Sequence, residues 1–120
     1  MVRRWLLGAS LLSVWLPMAV SGQDQAVQGA PRGGPARWLS DLDYPADAKR
    51  VGAQGSVSVA LSVDAAGYVT ACRVIASSGN DALDRMTCTL LQRRARFTVP
   101  KDAAGAPQPF TYEMTKVWKL

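Results

Sequence analysis

The stretch that most constrains this chain is Ser56 to Val63, where side chains alternate strictly. Val57, Val59, Leu61 and Val63 fall on one side, and Ser56, Ser58, Ala60 and Ser62 on the other. A period of two over that length marks a strand with one buried face and one wet face. Such a strand cannot stand alone, because its apolar row needs neighbouring strands and a covering layer. The chain supplies the first neighbour at once. Asp64-Ala65-Ala66-Gly67 makes a turn in which Gly67 can take a positive φ. Tyr68 to Ala76 (YVTACRVIA) is a second β-rich run, so the two form a hairpin.

The covering layer comes from two helical segments. Pro45 to Val51 reads as a short helix, with proline where a missing N–H costs nothing and Gly52 as the stop. Ala48 and Val51 would share its buried face. After the hairpin, Ser77-Ser78-Gly79 is a loop and Asn80 a helix cap. Asp81 and Asp84 sit where the helix dipole favours acids, and Arg93, Arg94 and Arg96 where it favours bases. Leu83, Thr87, Leu90, Leu91 and Ala95 recur at helical spacing, flanked by Met86 and Cys88, and the helix is predicted to end near Phe97. Pro100 to Pro109 is a turn-rich connection, and Phe110 to Leu120 a last strand. Phe110, Tyr112, Met114, Trp118 and Leu120 share one face of it, interrupted by Lys116. A hairpin followed by a right-handed crossover helix places the third strand beside the first, antiparallel to it. The predicted fold is therefore α+β and two-layered, a three-stranded antiparallel sheet of order 2-1-3 with two helices on one face.

The chain's start adds a compartment. Arg3-Arg4 precede an uncharged run from Trp5 to Val20, followed by the small residues Ser21 and Gly22. That run has 16 residues, short of the roughly 20 that span a bilayer. Residues 1–22 read as a secretory signal peptide, with an uncleaved N-terminal anchor facing the periplasm as the alternative. Residues 23–43 mix Gln, Gly and Pro without apolar period and read as a flexible linker, in which Trp38 and Leu39 either tuck against the domain or stay exposed. Residues 44–120 form the domain. In an oxidising compartment Cys72 and Cys88, 16 residues apart, read as a disulfide, with two buried thiols as the alternative.

Composition excludes more than it suggests. The chain has no His, so no Ser-His-Asp triad, His-ligated metal or imidazole acid–base is available. Two cysteines cannot close a four-thiolate metal site, and the nine acids show no paired spacing. No catalytic residue, metal site or cofactor is assigned, and an enzyme is disfavoured. Removing 22 residues lowers the net charge from +5 to 12 − 9 = +3, too mild in an exported chain to argue for nucleic acid. Arg93, Arg94, Arg96 and Lys101 form a basic cluster, read first as solvated surface and second as a contact for an acidic partner or headgroups.

Taken in order, Tyr44-Pro45 with Ala48, Gly55 to Val59, Val63 to Val69, Ser77-Ser78-Gly79, Leu83-Asp84 and Arg96-Phe97 resemble the TonB C-terminal domain family. The resemblance covers residues 44–120, and the cysteines and closing Val117-Trp118-Lys119-Leu120 look like an exported subset of it. It implies a protein that engages outer-membrane receptors in energy-coupled transport, by adding the receptor's TonB box as an extra strand. The implied capture strand is Phe110, Thr111, Tyr112, Glu113, Met114, Thr115, Lys116, Val117, Trp118 and Lys119, since β-augmentation takes its affinity from main-chain hydrogen bonds. Lys116 and Lys119 would keep that edge from pairing with itself, though such lysines also suit an ordinary sheet edge. Homodimers, known in the family, are left open. Energised members carry a membrane helix with a His that engages a proton-driven motor, and a long spacer. This chain has no His, and its 21-residue linker reaches at most about 75 Å fully extended. The alternative is a stand-alone periplasmic binding or structural module without proton-motive coupling.

Overall fold

A computed structural model describes residues 29–120. The signal peptide or anchor read over 1–22, and the linker's first residues, 23–28, lie outside the described residues. In chain order the elements are β1 (Ala30–Pro31), α1 (Ala46–Arg50), β2 (Gly55–Val63), β3 (Val69–Ala76), α2 (Asp81–Arg94), β4 (Phe97–Thr98) and β5 (Phe110–Trp118). Two 3-10 turns, Pro35–Arg37 and Asp41–Asp43, precede α1.

The main sheet has the order β3-β2-β5, antiparallel throughout, which is the expected 2-1-3. Its centre is β2, whose Val57, Val59, Leu61 and Val63 are all buried. The outer row is less wet than the pattern suggested: Ala60 is buried too, flanked in register by the longer Arg73 and Glu113. The turn closes through Asp64, whose carboxylate accepts from the Ala66 and Tyr68 amides at 2.9 and 3.0 Å. Gly67 there sits at φ +91°, and a Cβ would collide with the Phe97 carbonyl.

Helix α2 covers the apolar face with Leu83, Thr87, Leu90 and Leu91, all buried. The Asn80 side chain caps it, accepting from the Leu83 amide at 3.1 Å. Trp118, at the end of β5, is locked beneath it. Its Nε1 donates to Thr87 Oγ1 at 2.9 Å, and that hydroxyl donates to the Leu83 carbonyl at 2.8 Å. The Tyr44 ring meets Trp118 edge-on at 5.2 Å. Cys72 on β3 and Cys88 on α2 form a disulfide with Cα atoms 5.6 Å apart, so the bridge holds and the two-thiol alternative does not.

Four local expectations are corrected. The second helix ends at Arg94 rather than near Phe97: Ala95 is already extended, and Phe97 turns into the core and pairs across β1. The stretch 29–43 is held against the domain at Ala30–Pro31 and Trp38–Leu39, while most of its other side chains, Leu42 included, are exposed. Ala30 and Pro31 pair with Thr98 and Phe97, and Trp38 and Leu39 are each 4 % exposed. Trp38 lies tilted against Phe97 with ring centres 5.4 Å apart, and burial of two large side chains outweighs the ordering of a Gly- and Pro-rich segment. Val51 does not join Ala48 in the core, because α1 stops at Arg50 and leaves Val51 exposed. Leu120 lies beyond β5 and is exposed.

Candidate functional site

The sheet has two free edges among the described residues, β3 and β5. They are built differently. The β2–β3 register shifts at Ser58/Val59 and again at Ser62/Val63. Such bulges bend and twist an edge, which hinders addition of another strand. The β2–β5 register runs unbroken from Gly55↔Trp118 to Val63↔Phe110, nine pairs. β5 is therefore the long, regular edge.

Its side chains divide by face. Thr111, Glu113, Thr115 and Val117 point to the open face and are exposed. Phe110, Tyr112, Met114 and Lys116 point to the helix side and are half-buried, while Trp118 is buried. Phe97 ties the inward aromatics together, 5.7 Å from Phe110 and 4.9 Å from Tyr112. Lys116 Nζ lies 4.9 Å from the Trp118 ring, so its charge rests on the aromatic face at the edge. Ser58 and Thr115 hydroxyls meet at 2.7 Å and pin β5 to β2 on the open face. Lys119 follows the strand and is exposed. An added strand would thus meet free main-chain groups at every second residue of β5, an aromatic strip on one face, and Thr111, Glu113, Thr115 and the apolar Val117 on the other.

Of the residues quoted for the resemblance, Val117, Trp118 and Lys119 lie at this edge; the rest do not. They build what holds it. Tyr44 packs on Trp118 and donates its hydroxyl to the Ala53 carbonyl, Pro45 is the N-cap of α1, and Leu83 and Phe97 are core. Ser77, Ser78, Gly79 and Asp84 make a closed polar loop before α2. The Asp84 carboxylate accepts from both serine hydroxyls and from the Ser78 amide at 3.0 Å, and the Gly79 amide donates to Ser77 Oγ at 2.9 Å. A Cβ on Gly55 would come within 2.7 Å of the Ser78 carbonyl, so this loop abuts the start of β2, opposite Trp118 in register.

Burial alone would push the Asp84 carboxyl up, but the hydrogen bonds from Ser77 and Ser78 outweigh it and hold the carboxyl below its usual range. A carboxylate lowered in the folded state stabilises the fold above its unfolded pKa, about 3.9, and loses that contribution as pH falls through the lower folded value. Asp84→Asn is expected to cost about 1–3 kcal/mol at neutral pH. It should also flatten the loss of stability below about pH 4. Urea unfolding of both proteins across that range checks it; parallel pH curves would remove Asp84 as the cause.

Two parts of the site's support are not legible in the sequence. The Arg94 guanidinium donates to the Trp38 carbonyl at 3.1 Å and to Asp43 at 3.0 Å, latching the segment before α1 to the end of α2. Arg94, then the Ser40 amide, outweigh burial and hold the Asp43 carboxyl low. Gly29 lies so close to the Phe110 ring that a Cβ would overlap it. The one signal available was Trp38-Leu39, the only large apolar pair in that stretch.

Comparisons with known proteins agree with this geometry. A family model described as the Gram-negative bacterial TonB protein C-terminal matches residues 40–120. A protein TonB from Pseudomonas putida is 43 % identical over 68 residues, covering 56 % of this chain and 27 % of that relative, so the chain spans about a quarter of its length. A solution NMR structure of the Pseudomonas aeruginosa TonB CTD superposes with a TM-score of 0.56 at 21 % identity, covering 78 % of this chain and 87 % of that one.

Proposed function

Because this chain belongs to the Gram-negative bacterial TonB C-terminal family over residues 40–120, we propose that it binds the TonB box of outer-membrane receptors by strand addition at β5. In this reading it is a periplasm-facing envelope protein serving energy-coupled transport across the outer membrane. The observation that carries the proposal is the unbroken nine-pair register of β5 with its outer edge unpaired. Main-chain bonds along that edge supply affinity, and the strip of Tyr112, Met114 and Lys116 supplies selectivity.

The experiment is an NMR titration of the full chain with N-terminal receptor peptides containing a TonB box, against a scrambled control. Saturable shifts centred on residues 110–118 are expected. No binding by the folded chain, or shifts centred on β3, would overturn the site.

A second reading is a binding module with the family's domain and no proton-motive coupling. It is favoured by one observation, the absence of His from all 120 residues. N-terminal sequencing of the protein from fractionated cells separates the two. A mature start near Gly22 or Gln23 in the soluble periplasm supports the second, and a membrane-bound chain keeping its first residues supports the first.

A further inference from the structure

Away from β5, a second and smaller ladder carries an unusual row of side chains. Ala30 pairs with Thr98 and Pro31 with Phe97. The Arg32 amide donates to the Arg96 carbonyl at 2.8 Å and extends the ladder by one more row. On the far side of β4 the Phe97 amide donates to the Gly67 carbonyl at 3.0 Å, and Tyr68 bridges Arg96 antiparallel. Three segments therefore lie side by side, and Arg32, Arg96 and Tyr68 stand in one cross-strand row. Residues opposed in this way project to the same face. The opposite face holds Phe97 in the core, so this row faces solvent. The Arg96 guanidinium sits 4.5 Å above the centre of the Tyr68 ring, which is 50 % exposed.

Two like charges directly across a ladder are unfavourable, and no carboxylate of the described residues relieves them. The ion pairs there are Arg50–Asp47, Arg85–Asp81 and Arg94–Asp43. Asp64, beside Tyr68, is occupied by backbone amides. Arg93, exposed in the last turn of α2, adds a further cation without a carboxylate partner among the described residues. Arg96 Nη1 donates to the Ala95 carbonyl at 2.7 Å, and the rest of its fork, with Arg32 in the same row, offers donors suited to an oxyanion.

The place of the row says which oxyanion. The chain enters the described domain at Gly29, one residue before the ladder. Only residues 21–28 separate that point from the uncharged run 5–20, a span of at most about 29 Å. A chain that keeps this run in a bilayer holds the basic row within reach of the headgroups. We propose that Arg32, Arg96 and Tyr68, with Arg93, dock the domain on anionic phospholipid headgroups. Strand capture at β5 uses none of these residues; the docking argument rests instead on the membrane-bound reading of residues 1–22, which N-terminal sequencing tests apart from peptide capture.

The test is amide exchange, read by mass spectrometry, on the full chain reconstituted in vesicles of phosphatidylcholine alone or with added phosphatidylglycerol. Slower exchange across residues 30–32 and 94–98 is expected only on the anionic vesicles. It should vanish near 1 M salt, where screening acts within about 3 Å. Each arginine near an anionic surface changes docking roughly fivefold, so Arg32→Gln/Arg93→Gln should lower the docked-to-free ratio roughly 25-fold. That variant leaves Arg96 on Tyr68; Arg96→Lys, which keeps the charge and loses the fork, is the second probe. Equal exchange on both vesicle types, or protection that survives the double variant, overturns the proposal. Equal protection by inorganic phosphate would replace the lipid with a free anion, and equal protection by polyglutamate would replace it with an acidic protein; either result overturns membrane docking.

Discussion

Trp118→Ala is expected to remove about 3–5 kcal/mol of folding stability. Against a total of about 5–15 kcal/mol for a domain, that is enough to leave a substantial unfolded fraction. Trp118 is 1 % exposed, so truncation opens a cavity where α2, β5 and Tyr44 meet. It also takes the indole N–H from Thr87. Trp118→Phe separates the two effects. It keeps most of the packing and removes the donor, so it should cost about 1–2 kcal/mol. Urea midpoints of the two variants, with unchanged slopes, give the comparison. Equal losses would mean that the hydrogen bond, not the volume, dominates. A loss under about 1 kcal/mol for the alanine variant would contradict the burial argument outright.

Opening the disulfide is the second large effect. Cys72 and Cys88 are 16 residues apart, and closing a loop of that size is worth about 3 kcal/mol on the chain-entropy estimate. The bridge also joins two different layers, since Cys72 belongs to β3 and Cys88 to α2. Among strands of the main sheet, β3 is the one whose register with β2 is broken twice. The covalent tie thus falls on the more weakly paired edge. Cys72→Ala/Cys88→Ala and the reduced wild type should both lose about 2–4 kcal/mol. Amide exchange should quicken first in β3, with β5 least affected. Uniform quickening across the sheet would show that the bridge supports the whole fold rather than one edge. The oxidised protein should carry no alkylatable thiol, and finding two would refute the bridge.

Legibility followed period and chemistry. The alternation of Ser56 to Val63, the Asp64–Gly67 turn and the Asn80 cap are each local, and each appeared where the residues place it. Strand order followed from handedness once the helix between β3 and β5 was placed. What stayed hidden rests on pairing over long separations. β1 and β4 are two residues each, too short for any period, and they exist because Trp38 and Phe97 share a core position. Arg94 reads as dipole compensation in the sequence and is a latch in the structure. The edge was legible as a strand, but its regularity was not, because bulges on the β3 side depend on three-dimensional pairing.

Gly29 resting on the Phe110 ring has a mechanical consequence. It sets the chain's point of entry beside the first residue of β5. On the proposed strand capture, tension between the upstream chain and the captured strand would enter and leave the domain at one end, where β1, β4 and Phe110 meet. The Cys72–Cys88 rivet lies on the other side of β2. The domain would then act as a clip whose two jaws share one end, with its covalent bond guarding the far edge rather than the grip.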